Sequence, residues 1–317
     1  MTPINTRHLV DPQLVALLDT MPYIDLNPET LALMRATPMV FPVRPGDMAR
    51  TSMTTHAAPG RGGAPEVAVI VYRPAGAEGA LPCILHIHGG GYVLGSAASG
   101  EASHRPLAAD LGCCIVTVDY RLAPETPHPG PVEDCYAALA WVMTHAKDLK
   151  IDPARVGVMG ESAGGGLAAG LALLARDRGE HRLAFQHLIY PMIDDRTCVH
   201  PDPHPHVGEF VWTPQRNRFG WRSLLGAEPG SDGISPYAAA ARADDLAGLP
   251  PTFIATGALD LFLEEDLDYA RRLTRAGLPV ELHVYPGAYH GFQWDRSADV
   301  TRQAERDSRA ALARALT

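Results

Sequence analysis

The sequence predicts an α/β protein whose mostly parallel sheet is covered by helices on both faces. Strand-like apolar runs alternate with amphipathic stretches from about residue 66 onward, which is the pattern of consecutive βαβ units. In addition, runs such as CCIVTVDYR at 113–121 are almost continuously apolar and β-branched rather than alternating. Strands that are buried on both faces of a parallel sheet have this composition.

Each element follows from its local pattern. Strand-like runs bordered by Pro or Gly lie at 66–74, 81–88, 113–121, 155–160, 185–192, 250–257 and 280–287. Apolar residues at helical spacing occupy 103–112, 132–146, 162–179, 264–277 and 298–316. The first 50 residues hold only short amphipathic pieces separated by prolines, with no strong strand.

In such sheets ligands bind at the carboxyl ends of the strands, so the residues just past each strand are the candidates for chemistry. The run at 155–160 leads into GESAGG, which fits G-x-S-x-G with Ser162 at its centre. A sharp turn from strand to helix exposes the serine hydroxyl, and the small residues Gly160 and Gly164 let neighbouring backbone pass. The motif recurs by chance, but here it lies between a strand and a long helix. Ser162 is therefore predicted to be a nucleophile rather than an ordinary turn serine.

A nucleophilic serine needs a base, and the base needs an acid that orients it. Asp260 follows the penultimate strand-like run and His290 follows the last one. The order serine, acid, histidine is the one found on α/β-hydrolase scaffolds. Asp194 and Asp195 follow an earlier strand and are alternative acids, although we expect them to cap a turn and pair with Arg196.

Three consecutive glycines follow the second strand-like run, in HGGG at 88–91. Glycines weaken strands and helices, so their presence here needs a reason. Attack on an ester creates an oxyanion that fixed backbone N–H groups stabilise, and side chains on the loop would block their approach. One donor is expected from Ala163, first in its helix, and others from this loop. His88 is expected to brace the loop rather than to catalyse.

Together these segments resemble the hormone-sensitive-lipase-like (bacterial family IV) esterases of the α/β-hydrolase fold. The resemblance covers about residues 60–317 and is carried by HGGGY, DYRLAPE, VEDCYAAL, GESAGG, GALDLFLEED and YHGF. The chain departs from the subgroup most similar in its other motifs at Glu161, where Asp is usual, and this leaves the hydrogen bonding of that side chain open. In DYRLAPE, Arg121 and Glu125 are expected to tie the strand end to neighbouring loops, with VEDC as a further partner.

The resemblance implies a serine carboxylesterase that hydrolyses short- to medium-chain esters through an acyl-enzyme and uses no cofactor. It also implies that Gly90, Gly91 and the amide of Ala163 form an oxyanion hole, with Gly89 shaping the turn. Two alternatives stay open: an amide or acetyl-group hydrolase on the same triad, and a relative that binds ligands without catalysis.

The resemblance further implies a helical cap over the site. Residues 1–50 are expected to form its N-terminal part, and residues 51–317 the catalytic domain, of which about 198–225 contribute to the cap. Four aromatic residues of that segment either line a substrate pocket or pack the cap; they are Phe210, Trp212, Phe219 and Trp221.

The same segment contains four side chains that are common metal ligands: His200, Asp202, His204 and His206. Prolines between them favour extended backbone, on which alternate side chains project to the same side. No second group of ligands is evident and serine chemistry needs no metal, so we expect no metal site there.

Composition limits the partners. The formal net charge of −9 and the pI of about 5.8 argue against nucleic acid or an anionic membrane and are compatible with a small neutral ester. The N-terminus does not read as a signal peptide and no apolar run is long enough to span a membrane. A cytoplasmic protein is therefore expected, and pairing of the last strand leaves a homodimer open.

Overall fold

The computed structural model describes residues 5–21, 24–38 and 40–317, and one eight-stranded sheet lies at its centre. The strands are β1 (Thr51–Ala58), β2 (Val67–Pro74), β3 (Leu81–Ile87), β4 (Cys114–Asp119), β5 (Ile151–Glu161), β6 (Gln186–Ile189), β7 (Thr252–Gly257) and β8 (Val280–Tyr285). Their order in the sheet is β1-β2-β4-β3-β5-β6-β7-β8. The pairs β1/β2 and β2/β4 are antiparallel and the remaining pairs are parallel, which confirms the predicted mostly parallel class.

The α-helices of the described residues are α1 (Val15–Thr20), α2 (Pro28–Ala36), α3 (Pro45–Ala49), α4 (Glu101–Leu111), α5 (Gly130–Thr144), α6 (Ala163–Arg178), α7 (Pro214–Leu225), α8 (Leu263–Arg275) and α9 (Asp299–Ala315). None of them combines the length and the apolar character that a membrane crossing needs.

Two layers of helices cover the sheet, with α5, α6 and α8 on one face and α4 and α9 on the other. The side chains of β3 show the division. Leu85 and Ile87 join the apolar core shared with α5 and α6, whereas Ile84 packs with α4 and α9. His86 also points to the face of α4, where its ring lies 4.1 Å from that of His104.

Strand β1 was not predicted, because TSMTTHAA lacks both an apolar run and an alternation of apolar and polar residues. It is the edge strand of the sheet, and only its end residues, Thr51 and Ala58, are buried. An edge strand with one covered face needs few apolar side chains, so its sequence carries little signal.

Helix α6 fixes the position of Ser162, which directly precedes it. The helix closes at Gly179, which adopts φ of 67°, as the sequence predicts. At its start, a Cβ atom on Gly164 would lie 2.0 Å from the carbonyl oxygen of Ile87. The glycine therefore lets the first turn of α6 pack directly on the end of β3.

The N-terminal residues and the segment around α7 contact each other. The backbone N–H of Thr6 donates to Glu209 at 2.6 Å, and the guanidinium of Arg216 donates to the carbonyl oxygen of Ile24. Both segments lie at the carboxyl-end edge of the sheet. The Asp11 N–H, for example, donates to a carbonyl oxygen in the loop that follows β8.

Candidate active site

The structure brings together the three side chains predicted as nucleophile, base and acid. His290 Nε2 lies 2.9 Å from Ser162 Oγ, and His290 Nδ1 lies 2.8 Å from Asp260 Oδ2. The other oxygen of Asp260 accepts the N–H of Phe262 at 3.0 Å, so the carboxylate cannot rotate freely. A carboxylate accepts only, and Nδ1 of His290 therefore carries a proton while Nε2 is free to accept the serine hydroxyl.

Ser162 occupies a strained backbone conformation, with φ of 55° and ψ of −124°. Hydrogen bonds on both sides hold it there. Its N–H donates to Ile189 at 2.9 Å, and its carbonyl oxygen accepts from Gly166 at 3.0 Å and Met192 at 2.9 Å. On Gly160, a Cβ atom would lie 2.2 Å from the Gly164 oxygen, so the turn requires a residue without a side chain. The result is the sharp strand-to-helix turn of a nucleophile elbow, in which Ser162 is 7% exposed.

Three aromatic rings surround the imidazole of His290, with centroids at 4.6 Å for Tyr190, 5.1 Å for Phe262 and 6.1 Å for Trp212. They limit its rotation and reduce its contact with water. Tyr190 is itself fixed by its hydroxyl, which donates to Gln293 at 2.7 Å. Of these three rings, only Trp212 was a candidate pocket residue from the sequence.

The glycine loop and the nucleophile elbow are in direct contact through Gly89. A Cβ atom on this residue would lie 2.9 Å from the Glu161 carbonyl oxygen and 3.3 Å from Ser162 Cβ. A side chain at position 89 would therefore push the two loops apart.

Gly90 and Gly91 form a tight turn behind this contact. Gly90, with φ of 123°, accepts from the N–H groups of Val93 at 3.1 Å and Leu94 at 2.9 Å through its carbonyl oxygen. Within the described residues, the N–H groups of Gly90, Gly91 and Ala163 donate to no protein group. Hydrogen bonds among the described residues thus leave these three donors unused.

His88 braces the loop, as the sequence predicts. Its Nδ1 lies 2.8 Å from the Gly89 carbonyl oxygen, its ring stacks on Tyr120 at 4.2 Å, and the Tyr120 hydroxyl donates to the His88 carbonyl oxygen at 2.9 Å. Burial lowers the pKa of His88 to about 4, so the side chain is neutral at pH 7.

Asp194 and Asp195 were both expected to cap a turn and pair with Arg196, and this prediction is wrong for Asp195. Asp194 pairs with Arg196 at 2.7 Å, as expected. Asp195 instead is fully buried, accepts both arms of Arg242 at 2.6 and 2.8 Å, and accepts the N–H of Gly230 at 2.6 Å. The Asp195 side chain thus points into the protein rather than into the turn. Its carboxylate is paired with Arg242 and holds the segments around Gly230 and Arg242 in place.

The interpretation of DYRLAPE as a structural motif is confirmed. Arg121 bonds both oxygens of Asp134, in VEDC, at 2.9 and 2.7 Å. Glu125 accepts Arg35 of α2 at 2.7 and 2.9 Å. Both pairs tie the end of β4 to neighbouring segments.

The four aromatic residues of the 198–225 segment have different surroundings. Trp212 lies at the site, against Gly91. Trp221 is fully buried and packs on Tyr92, while Phe210 and Phe219 pack on the apolar core from partly buried positions. The four candidate metal ligands of this segment form no group of three or more metal-binding side chains, nor do other residues that the structure describes.

This chain is similar to several known proteins. Residues 84–294 match a family model described as alpha/beta hydrolase fold. Carboxylesterase NlhH of Mycobacterium tuberculosis is 35% identical over 295 residues, which are 92% of this chain and 91% of that protein. A solved structure of a bacterial heroin esterase has a TM-score of 0.90 at 38% identity and covers 99% of this chain and 100% of its own. Ethyl acetate hydrolase of Pseudomonas putida is 31% identical over 240 residues, which are 75% of this chain and 74% of that protein.

Proposed function

We propose a reaction for this chain from the premise that it belongs to the hormone-sensitive-lipase-like (bacterial family IV) α/β-hydrolases. It is a serine carboxylesterase, and its substrates are esters of short- to medium-chain carboxylic acids, cleaved through an acyl-enzyme. The observation that carries the proposal is the unbroken hydrogen-bond chain from Ser162 through His290 to Asp260.

In the first half of the reaction, Ser162 Oγ attacks the ester carbonyl carbon while His290 Nε2 takes the hydroxyl proton. Asp260 keeps the imidazole in the tautomer that can accept this proton, and its charge stabilises the imidazolium that results. The proton then passes from His290 to the alcohol oxygen, the bond between the carbonyl carbon and that oxygen breaks, and the acyl group stays on Ser162.

In the second half, water takes the place of the alcohol. His290 accepts a proton from the water as its oxygen attacks the acyl carbon, and then returns a proton to Ser162 Oγ as the carboxylic acid leaves. Ester and water are thus converted to acid and alcohol, and the enzyme is regenerated without a cofactor.

Both tetrahedral intermediates carry an oxyanion, and we assign its stabilisation to the N–H groups of Gly90, Gly91 and Ala163. The free donors of these residues and the position of Ala163 at the N-terminus of α6 support the assignment. Gly89 shapes the loop by its close contact with the elbow.

The preference for small acyl groups has two supports. Trp212 lies between the glycine loop and His290, where it restricts the space beside the reacting carbon. Ethyl acetate hydrolase, a relative, acts by its name on a small ester. We assign residues 198–225 and the described part of residues 1–50 to a cap over this space, because the two segments bond to each other at the carboxyl edge of the sheet. Residues 1–4, 22–23 and 39 of the predicted cap lie outside the described residues.

Two further expectations remain predictions. Among the described residues, β8 is an edge strand of the sheet with Leu282 and Val284 exposed, which supports the homodimer that the sequence leaves open. Light scattering with a strand-edge variant, Val284→Lys, tests this.

The cytoplasmic location is tested by cell fractionation.

The experiment for the function is a rate series on p-nitrophenyl esters whose acyl chains range from about two to about sixteen carbons. We expect the highest kcat/KM at the short end, and a maximum beyond about ten carbons would contradict the assignment in favour of a lipase. A fluorophosphonate should label Ser162 and leave Ser162→Ala unlabelled. Turnover of an anilide analogue at a similar rate would favour the amide hydrolase, and absence of labelling would favour a binding protein.

A further inference from the structure

A hydrogen-bonded pair outside the predicted triad joins the nucleophile elbow to the strand that leads into the glycine loop. Glu161 Oε2 lies 2.8 Å from His86 Nε2. Glu161 is the last residue of β5 and His86 lies near the end of β3, and these two strands are parallel neighbours. The pair therefore bridges the carboxyl ends of the strands that carry the two halves of the site.

His86 is held firmly from the other side. Its Nδ1 lies 3.0 Å from the hydroxyl of Thr117 on β4, and its ring contacts that of His104. Thr117 and His86 are buried, whereas the Glu161 side chain is 29% exposed. With Nε2 donating to the carboxylate, Nδ1 accepts the Thr117 hydroxyl, so one neutral tautomer satisfies both contacts.

Each partner of the pair lies close in the chain to one half of the site. Glu161 directly precedes Ser162, and its own carbonyl oxygen is the group that Gly89 touches. His86 lies three residues before Gly89. The pair therefore lies immediately beside both segments, one residue before the nucleophile and three residues before Gly89.

We propose that Glu161 and His86 are a positioning pair that sets the distance between the nucleophile and the oxyanion donors. The pair does not touch the substrate; it acts through the two backbone segments that it joins. This inference rests on the proposed esterase function.

The length of the Glu161 side chain is part of the proposal. An aspartate at this position would end one carbon–carbon bond earlier, ~1.5 Å shorter. From a distance of 2.8 Å, that change takes the carboxylate beyond hydrogen-bond reach of His86. The Glu161 side chain is thus long enough to reach His86. The aspartate that is usual at this position in the most similar subgroup would be too short.

The test compares Glu161→Ala, Glu161→Gln and Glu161→Asp with wild type, using kcat and KM for p-nitrophenyl butyrate and Ki for a trifluoromethyl ketone, which binds as an oxyanion. Glu281→Ala is the matched control, because Glu281 bonds His283 at 2.9 Å on the edge strand β8. Thermal unfolding of each variant shows that it is folded.

We expect Glu161→Ala to lower kcat about 10²-fold, to raise Ki by a similar factor and to change KM by less than about threefold. Glu161→Asp should behave in the same way. Glu161→Gln should keep kcat within about fivefold of wild type, since its amide oxygen accepts the same N–H, and Glu281→Ala should change nothing.

Equal losses in Glu161→Gln and Glu161→Ala would overturn the proposal, because charge rather than positioning would then be responsible. It is also overturned if the ketone binds Glu161→Ala as tightly as wild type. If Glu161→Ala does not fold, Glu161→Asp decides on the same criteria. An inactive wild type, by contrast, would refute the esterase function itself.

Discussion

The indole of Trp212 lies so close to Gly91 that a Cβ atom on the glycine would be 2.1 Å from Trp212 Cη2. Gly91 also has φ of 60°, a conformation that side chains disfavour. Contact and backbone strain both restrict this position to glycine. We therefore predict that Gly91→Ala destabilises the fold by about 1–3 kcal/mol and lowers kcat by about 10²-fold, through the displaced N–H donor.

Chemical denaturation and ester kinetics measure the two effects. Gly62→Ala is the control. Gly62 has φ of 62° but no atom within 4 Å of its Cβ position, so this substitution introduces backbone strain without a steric clash. We expect the control to be fully active. The double variant Gly91→Ala/Trp212→Ala should recover part of the activity that Gly91→Ala loses, because the clashing ring is removed. Full activity of Gly91→Ala alone would show that this loop does not position an oxyanion donor.

Trp212 is predicted to set the upper limit of acyl size. Its ring lies 6.1 Å from that of His290, and removing it opens space beside the reacting carbon. For Trp212→Ala we expect the ratio of kcat/KM for octanoyl over acetyl esters to rise about tenfold, as apolar contacts in the new space favour the longer chain. Phe210→Ala, which removes a ring packed on Tyr289, should leave the ratio unchanged. An unchanged ratio in Trp212→Ala would place the acyl site elsewhere.

Asp260 is predicted to be the acid of the triad. Asp260→Asn preserves shape but presents the wrong hydrogen-bonding partner to His290 Nδ1, and kcat should fall about 10⁴-fold with little change in KM. Asp194→Asn is the matched control, because Asp194 is bound to Arg196 at 2.7 Å, and it should stay within about threefold of wild type. Steady-state kinetics distinguish the two acids, and the opposite ranking would move the triad to the end of β6.

Seven of the eight strands and the three triad candidates could be predicted because their signals are local. Ser162, Asp260 and His290 each follow a strand-like run, and parallel strands place their carboxyl ends together. By contrast, the partner of Asp195 lies 47 residues later at Arg242, and nothing near either residue indicates the pairing.

Contacts around the site also join residues that are distant in the chain, so the sequence does not predict them. His86 and Glu161 are 75 residues apart and meet only because β3 and β5 are neighbours, which the order of strands in the sequence does not specify. The placement of Tyr190 and Phe262 around His290 likewise depends on side-chain packing between loops that are distant in the chain.

Asp266 is predicted to make the protein less stable as the pH rises above 3.8, the ordinary pKa of an aspartate. It is fully buried on α8, and within the described residues no cation pairs with it. Burial, reinforced by the nearby carboxylates of Glu265 and Asp260, raises its pKa well above the ordinary value of 3.8. Between those two pKa values the folded state holds a proton that the unfolded state releases, so the free energy of unfolding falls with increasing pH.

Asp266→Asn removes this titration. The free energy of unfolding of the variant relative to wild type should therefore increase with pH, by at most about 1.4 kcal/mol per pH unit, starting near pH 4. Urea denaturation at a series of pH values measures the difference. Asp268→Asn, on the exposed face of the same helix, should show no such trend. A difference that is independent of pH would mean that Asp266 is ionised in the folded protein.

Arg35 is predicted to fasten α2, in the proposed cap, to the back of the glycine loop. Its guanidinium donates to the carbonyl oxygens of Val93 at 2.8 Å and Ala123 at 2.8 Å, as well as to Glu125. Val93 in turn closes the tight turn at Gly90 through its N–H. Release of α2 should thus loosen both the cap and the loop that supplies the proposed oxyanion donors.

For Arg35→Ala we expect faster hydrogen exchange over residues 28–36, and a decrease in kcat/KM of about tenfold that includes a rise in KM. Arg35→Lys should recover little, because one ammonium cannot reproduce the planar set of contacts to two carbonyls and a carboxylate. Arg50→Ala is the control, since Arg50 makes an exposed pair with Asp110 at 2.6 Å and lies outside α2. If exchange over α2 is unchanged in Arg35→Ala, packing of the helix rather than this arginine holds the cap in place.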